Sequence, residues 1–94
     1  MANEISLKEA INKLIESYQL RGKLTETQLN ESWEQLMGKV IAKYTRSLQL
    51  NNGRLVVKLS SSVLRQELSY NKSQMIERLN EHFGEEVIKD LVLK

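Results

Sequence analysis

Apolar residues recur at helical spacing through the first half of the chain and at alternate positions just after it, and this change of period divides the sequence. Leu7, Ala10, Ile11, Leu14, Ile15 and Tyr18 share one helical face. Ser6-Leu7-Lys8-Glu9 has the form of a capping box, in which the serine oxygen and the glutamate satisfy free amides reciprocally. Together they predict a first helix from about residue 6, its stripe committed to a core, with Gly22 as a left-handed stop just past Arg21. A second capping box, Thr25 to Gln28, with Leu24 and Leu29 placed as a hydrophobic staple, predicts a new helix starting there. Its face of Leu29, Trp33, Leu36, Met37, Val40, Ile41 and Tyr44 carries it to about Thr45 and makes Trp33 a packing residue rather than a platform for stacked bases.

After Thr45 the period is two. Asn52-Gly53 between Leu48, Leu50 and Leu55, Val57, Leu59 is a type I′ hairpin signal. A two-residue turn sets Leu50 opposite Leu55 and Leu48 opposite Val57, leaving Ser47, Gln49, Arg54, Val56 and Lys58 on the other, mostly polar face. Ser60-Ser61-Ser62 ends the second strand and caps a third helix with apolar positions Leu64, Leu68, Met75, Ile76, Leu79 and Phe83. The polar stretch from Ser69 to Gln74 does not shift the apolar phase, because seven residues at 100° return within about 20°, so one continuous helix is expected up to Gly84. Val87 to Leu93 reads as a third strand. The order α-α-β-β-α-β predicts a single α+β domain over residues 1–94, a three-stranded sheet with helices packed on one face. The last strand is expected beside the first, in an antiparallel sheet; beside the second it requires a right-handed crossover.

Composition narrows the chemistry. A 94-residue chain has room for one core. Without cysteine there is no disulfide, thiolate nucleophile or Cys-ligated metal, which fits a reducing, cytoplasmic setting. The longest apolar runs have three residues, Leu55-Val56-Val57 and Leu91-Val92-Leu93, far short of the roughly 20 of a membrane span, and the N-terminus lacks the basic start and apolar run of a signal peptide. His82, the single histidine, falls in the last turn of the third helix, where it complements the helix dipole, and Glu85-Glu86 lies in the following turn. The four glycines stand apart and form no phosphate loop. No catalytic, metal or cofactor site and no small-molecule substrate is predicted.

The net charge of +2 conceals a division along the chain. From Gly38 to Lys72 seven basic residues stand against one acidic residue, Glu67, a net of +6, while each flank carries −2. Such asymmetry predicts a polyanion-binding surface; the alternative is that the basic segment pairs with the acidic flanks in the fold. Lys39, Lys43 and Arg46 recur at helical spacing and make a basic edge able to follow a phosphate backbone, unless they serve only to complement a helix C-terminus. Ser61, Ser62 and Arg65 join hydroxyls, amides and a guanidinium at a helix start, suited to a phosphate or simply to capping. Arg54, Lys58 and Lys72 complete the candidate nucleic-acid-binding set. Gly38 and Ala42 point away from the Trp33 stripe. Because glycine inside a helix costs about 1 kcal/mol relative to alanine, these two predict close approach by helix 1 or by a protein partner.

Trp33-x4-Gly38 with Ile41-Ala42, then Leu50-x2-Gly53-x-Leu55-x-Val57, Ser61-Ser62-x5-Leu68 and Leu79-Asn80-x3-Gly84 resemble, in order and spacing, the DciA family over roughly residues 6 to 94. The resemblance implies a KH-like fold and a role in bacterial DNA replication, in association with DNA and the replicative helicase during its loading. Two positions depart from the pattern. The Gly-x-x-Gly loop with which KH domains clamp RNA has no counterpart in Ser69 to Gln74, and Leu64 stands where family members commonly carry a second tryptophan. Three functions follow as expectations: a DNA-binding accessory of the replicative helicase, a protein-interaction module without nucleic-acid contact, and an RNA-binding KH-like protein.

Overall fold

A computed structural model describes residues 6–94, Tyr18 by its backbone alone, and shows an α+β fold in which helices cover a three-stranded mixed sheet. The elements are α1 (Leu7–Met37), α2 (Lys39–Tyr44), β1 (Thr45–Asn51), β2 (Arg54–Leu59), α3 (Ser62–Ser69), α4 (Lys72–Phe83) and β3 (Asp90–Leu93).

The helical breaks differ from those expected. α1 runs unbroken for 31 residues through Gly22, with Ser6 Oγ capping the Glu9 amide at 3.1 Å. A helical glycine costs only about 1 kcal/mol, and Tyr18 and Leu29, eleven residues apart, fall within about 20° of the same phase, so one stripe spans both halves. No staple forms, since Leu24 is exposed while Leu29 is buried. Thr27 Oγ1 and Asn30 Nδ2 donate to the Lys23 and Glu26 carbonyls four residues back, both at 3.0 Å, as side chains inside a helix do. The break falls at Gly38, whose φ of 93° and ψ of 165° suit a residue without Cβ and turn the chain from α1 into α2.

The first half of α1 does not join the core. Leu7, Ala10, Ile11, Leu14 and Ile15 are all exposed, contrary to the expectation that this stripe is committed to a core; the side chain of Tyr18 lies outside the described residues. At about 1.5 Å per residue α1 is roughly 46 Å long, and it makes the molecule 61 Å in its longest dimension. Only its second half, through Leu29 and Trp33, meets the sheet.

The hairpin forms in the predicted register, Leu48 opposite Val57 and Leu50 opposite Leu55, with positive φ at Asn52 (52°) and Gly53 (83°). The third strand departs from expectation: β3 pairs with β2, in parallel, giving the order β1-β2-β3. At the outer edge of β1 Glu26 Oε2 of α1 accepts the Leu50 amide at 2.9 Å, and the returning chain adds at the other side of the hairpin, beside β2. The expected single third helix is two, joined by a turn at Tyr70-Asn71 in which the amides of both residues bond three residues back. Leu68 and Met75 are both buried across this break, which is why apolar phase alone did not disclose it.

Sheet residues Leu48, Leu50, Leu55, Val57, Leu59 and Leu91 form the floor of the core, with Leu29, Trp33, Leu68, Met75, Leu79 and Ile88 above it. The opposite face of the sheet is open, with Ser47, Gln49, Arg54 and Lys58 exposed and Val56 and Val92 half-buried.

Candidate nucleic-acid interface

Strand direction sorts the charges between two ends of the sheet. At the tip end lie the Asn52-Gly53 turn, Arg54 and the start of β3, where Arg54 Nε meets Asp90 Oδ2 at 3.4 Å. At the base end β1 begins and β2 finishes, so α2 enters here and α3 leaves; the Ser60 amide bonds to the Tyr44 carbonyl at 2.8 Å and joins the two connections. Lys43, Arg46 and Lys58 are exposed around this junction, Ser61 opens α3 and Arg65 is half-buried one turn on.

Lys58 stands opposite Ser47 on β1, and on its other side the β3 chain continues to Lys94, whose carbonyl accepts the Leu59 amide at 2.8 Å. By register Lys58 and Lys94 are neighbours on the open face. Lys39 and Lys43, four residues apart, lie along one side of α2. Lys72 opens α4 beyond the Tyr70-Asn71 turn. Arg54 does not join this group: four residues from Lys58 on β2, it is about 13 Å away and partnered by Asp90.

Among the described residues Arg54–Asp90 is the one ion pair within 4.0 Å, so the basic segment is not spent on the acidic flanks. At the tip end both signs meet, Arg21, Lys23 and Lys89 lining the same concavity as Glu26, Glu85 and Glu86. Glu26 reaches the β1 edge, Asp90 starts β3, and the concavity, open and about 1230 Å³, also takes in the hairpin tip. At the base end Glu34 lines a small hollow together with Arg46.

Ser61 is committed to capping, its Oγ accepting the Leu64 amide at 3.1 Å, while Ser62 is exposed beside it. The reason given for Gly38 and Ala42 is corrected. Gly38 is not inside a helix and no atom of this chain lies within 4 Å of a Cβ placed on it, so positive φ rather than close approach by α1 explains the glycine. Ala42 faces inward and packs against the Trp33 cluster, because the break at Gly38 rotates α2 relative to α1.

Three residues at or near this surface were not anticipated. Tyr44, assigned to the core by its helical phase, is partly exposed, with Lys43 Nζ 5.7 Å from its ring centroid. Tyr70 is 76% exposed in the turn next to Lys72. Lys94 becomes visible only once β3 is placed beside β2. Trp33 is buried as expected, and His82 is exposed in the last turn of α4, edge-on to Phe83 at 5.1 Å. Among the described residues no three His, Asp or Glu side chains converge as metal ligands, and no helix is long and apolar enough to cross a membrane.

The chain is thus a small helix-covered sheet with exposed basic residues at one end and an open, mostly polar face. The family model described as Dna[CI] antecedent, DciA, matches residues 6–93, and the chain belongs to that family. No curated protein matches it.

Proposed function

We propose that this domain is a non-enzymatic, DNA-binding accessory of the bacterial replicative helicase, acting in the cytoplasm during helicase loading. The observation that carries the DNA part is the set of Lys43, Arg46, Lys58 and Arg65 at the base end, none of them in an ion pair within 4.0 Å among the described residues. Neutralising phosphates with such a cluster releases condensed counterions, and this sequence-independent gain supplies most non-specific affinity for DNA. Exposed Tyr44 and Tyr70 beside Lys43 and Lys72 add surfaces on which unpaired bases stack, which favours single strands over duplex. The helicase part rests on membership of the DciA family.

Fluorescence anisotropy with labelled single-stranded DNA, duplex DNA and RNA tests the first part, and co-sedimentation with the replicative helicase tests the second. Micromolar binding to single-stranded DNA at low salt is expected. A folded protein that binds the helicase but no nucleic acid is instead a protein-interaction module, and tighter binding to RNA than to DNA of the same sequence makes it an RNA-binding KH-like protein.

A further inference from the structure

The exposed half of α1 is the largest apolar surface left without an occupant, with Leu7 77%, Leu14 55%, and Ile11 and Ile15 each 48% exposed. This stripe is in phase with Leu29 and Trp33, which are buried one helical half further on. A single exposed leucine needs no explanation, but a contiguous stripe along three turns of one helix marks an interface.

We propose that the stripe is the interface between two copies of this chain, paired antiparallel about a two-fold axis between residues 12 and 13. In the sequence Leu7, Ile11, Leu14 and Tyr18 are spaced four, three and four, which reads the same in both directions. A two-fold interface must be self-complementary, and this spacing is. Antiparallel pairing sets Ile11 against Leu14 of the second copy, with Ala10 and Ile15 on opposite flanks of the seam.

Charge supports the same pairing. Glu9, Lys13 and Glu16 lie off the stripe, and Lys8 falls beside Ile15 of the second copy, so no like charges meet across the seam. With roughly 100 Å² of apolar surface offered by each large aliphatic side chain, four or five per copy bury on the order of 1,000 Å² in total, at the lower limit for a specific interface. The dimer is therefore weak, with a dissociation constant in the micromolar range or above. The proposal does not depend on the nucleic-acid reading.

Sedimentation velocity of the whole chain from about 1 µM to 1 mM should show concentration-dependent dimerisation. Ile11→Lys and Leu14→Glu should each remain monomeric at concentrations at least tenfold above the wild-type midpoint, with unchanged thermal unfolding of the core because both positions are exposed. Mixing the two variants should restore association, since residue 11 of one copy meets residue 14 of the other. A wild-type chain that stays monomeric to 1 mM overturns the proposal, whether the stripe then binds lipid vesicles, another protein, or folds back at Gly22. Dimers that survive both substitutions overturn the stripe as the interface, and variants that fail to associate when mixed overturn the antiparallel register.

Discussion

Trp33 Nε1 donates to Thr45 Oγ1 at 2.9 Å, and that hydroxyl in turn donates to the Ile41 carbonyl at 2.7 Å. One indole thereby fastens the second half of α1 to the last turn of α2 and to the first residue of β1, the point from which the basic end is built. Trp33→Ala should destabilise the domain by about 3 to 5 kcal/mol through the cavity it leaves. Thr45→Val, which keeps the shape and removes the acceptor, should cost about 1 to 3 kcal/mol because the indole N–H is left unsatisfied. Urea denaturation followed by far-UV circular dichroism measures both; a loss under about 1 kcal/mol for Trp33→Ala contradicts its place in the core.

Gly22 and Gly53 test the two kinds of glycine in the chain. Gly22 sits within α1 and a Cβ there meets no atom within 4 Å, so Gly22→Ala should stabilise by about 0.5 to 1 kcal/mol. Destabilisation would mean that the helix stops at this residue. Gly53 has φ of 83° and a Cβ there would lie 3.3 Å from Lys89, so Gly53→Val should cost about 1 to 3 kcal/mol and loosen the hairpin. Loss of DNA binding without loss of stability in Gly53→Val would assign this turn to the interface instead.

Asn80 holds the connection between α4 and β3. Its Oδ1 accepts the Val87 and Ile88 amides at 3.1 and 2.9 Å, and its Nδ2 donates to the Ile88 carbonyl at 2.8 Å. Asn80→Ala should destabilise by about 2 to 3 kcal/mol by orphaning these backbone groups beside fully buried Ile88. Hydrogen exchange should then accelerate first at Val87 and Ile88; exchange unchanged at those amides contradicts the clamp.

The parts of the fold set by neighbouring residues were legible in the sequence. The I′ turn, the hairpin register, the buried Trp33 and the caps at Ser6 and Ser61 all follow from side chains acting within a few residues of themselves. What was misread depends on distant structure. Thr25 has the chemistry of a cap, yet the continuous phase from Tyr18 to Leu29 carries the helix past it, and Gly22 is a stop only if the chain beyond it turns. The Tyr70-Asn71 break leaves apolar phase intact and so leaves no periodic trace. The place of β3 is a pairing between residues far apart in sequence, from Arg54 with Asp90 to Val57 with Leu93. The basic set was visible as a charge run, but its division into a base-end cluster and a paired Arg54 required the strand order.

If the basic residues at the base end are where phosphates are met, the salt dependence of DNA binding reads it most directly. Affinity should fall linearly on a log-log scale with a slope of about −0.7 per phosphate contact on single strands, or about −0.9 on duplex. Lys43→Gln with Lys58→Gln should flatten that slope by about 1 to 2 units and leave stability unchanged, since exposed lysines contribute little to folding. Arg54→Gln, at the tip end and already paired with Asp90, should leave the slope as it is. A slope that flattens for Arg54→Gln and not for the lysine pair would contradict the placement of the interface, and no DNA binding by the folded chain at low salt would contradict the function itself.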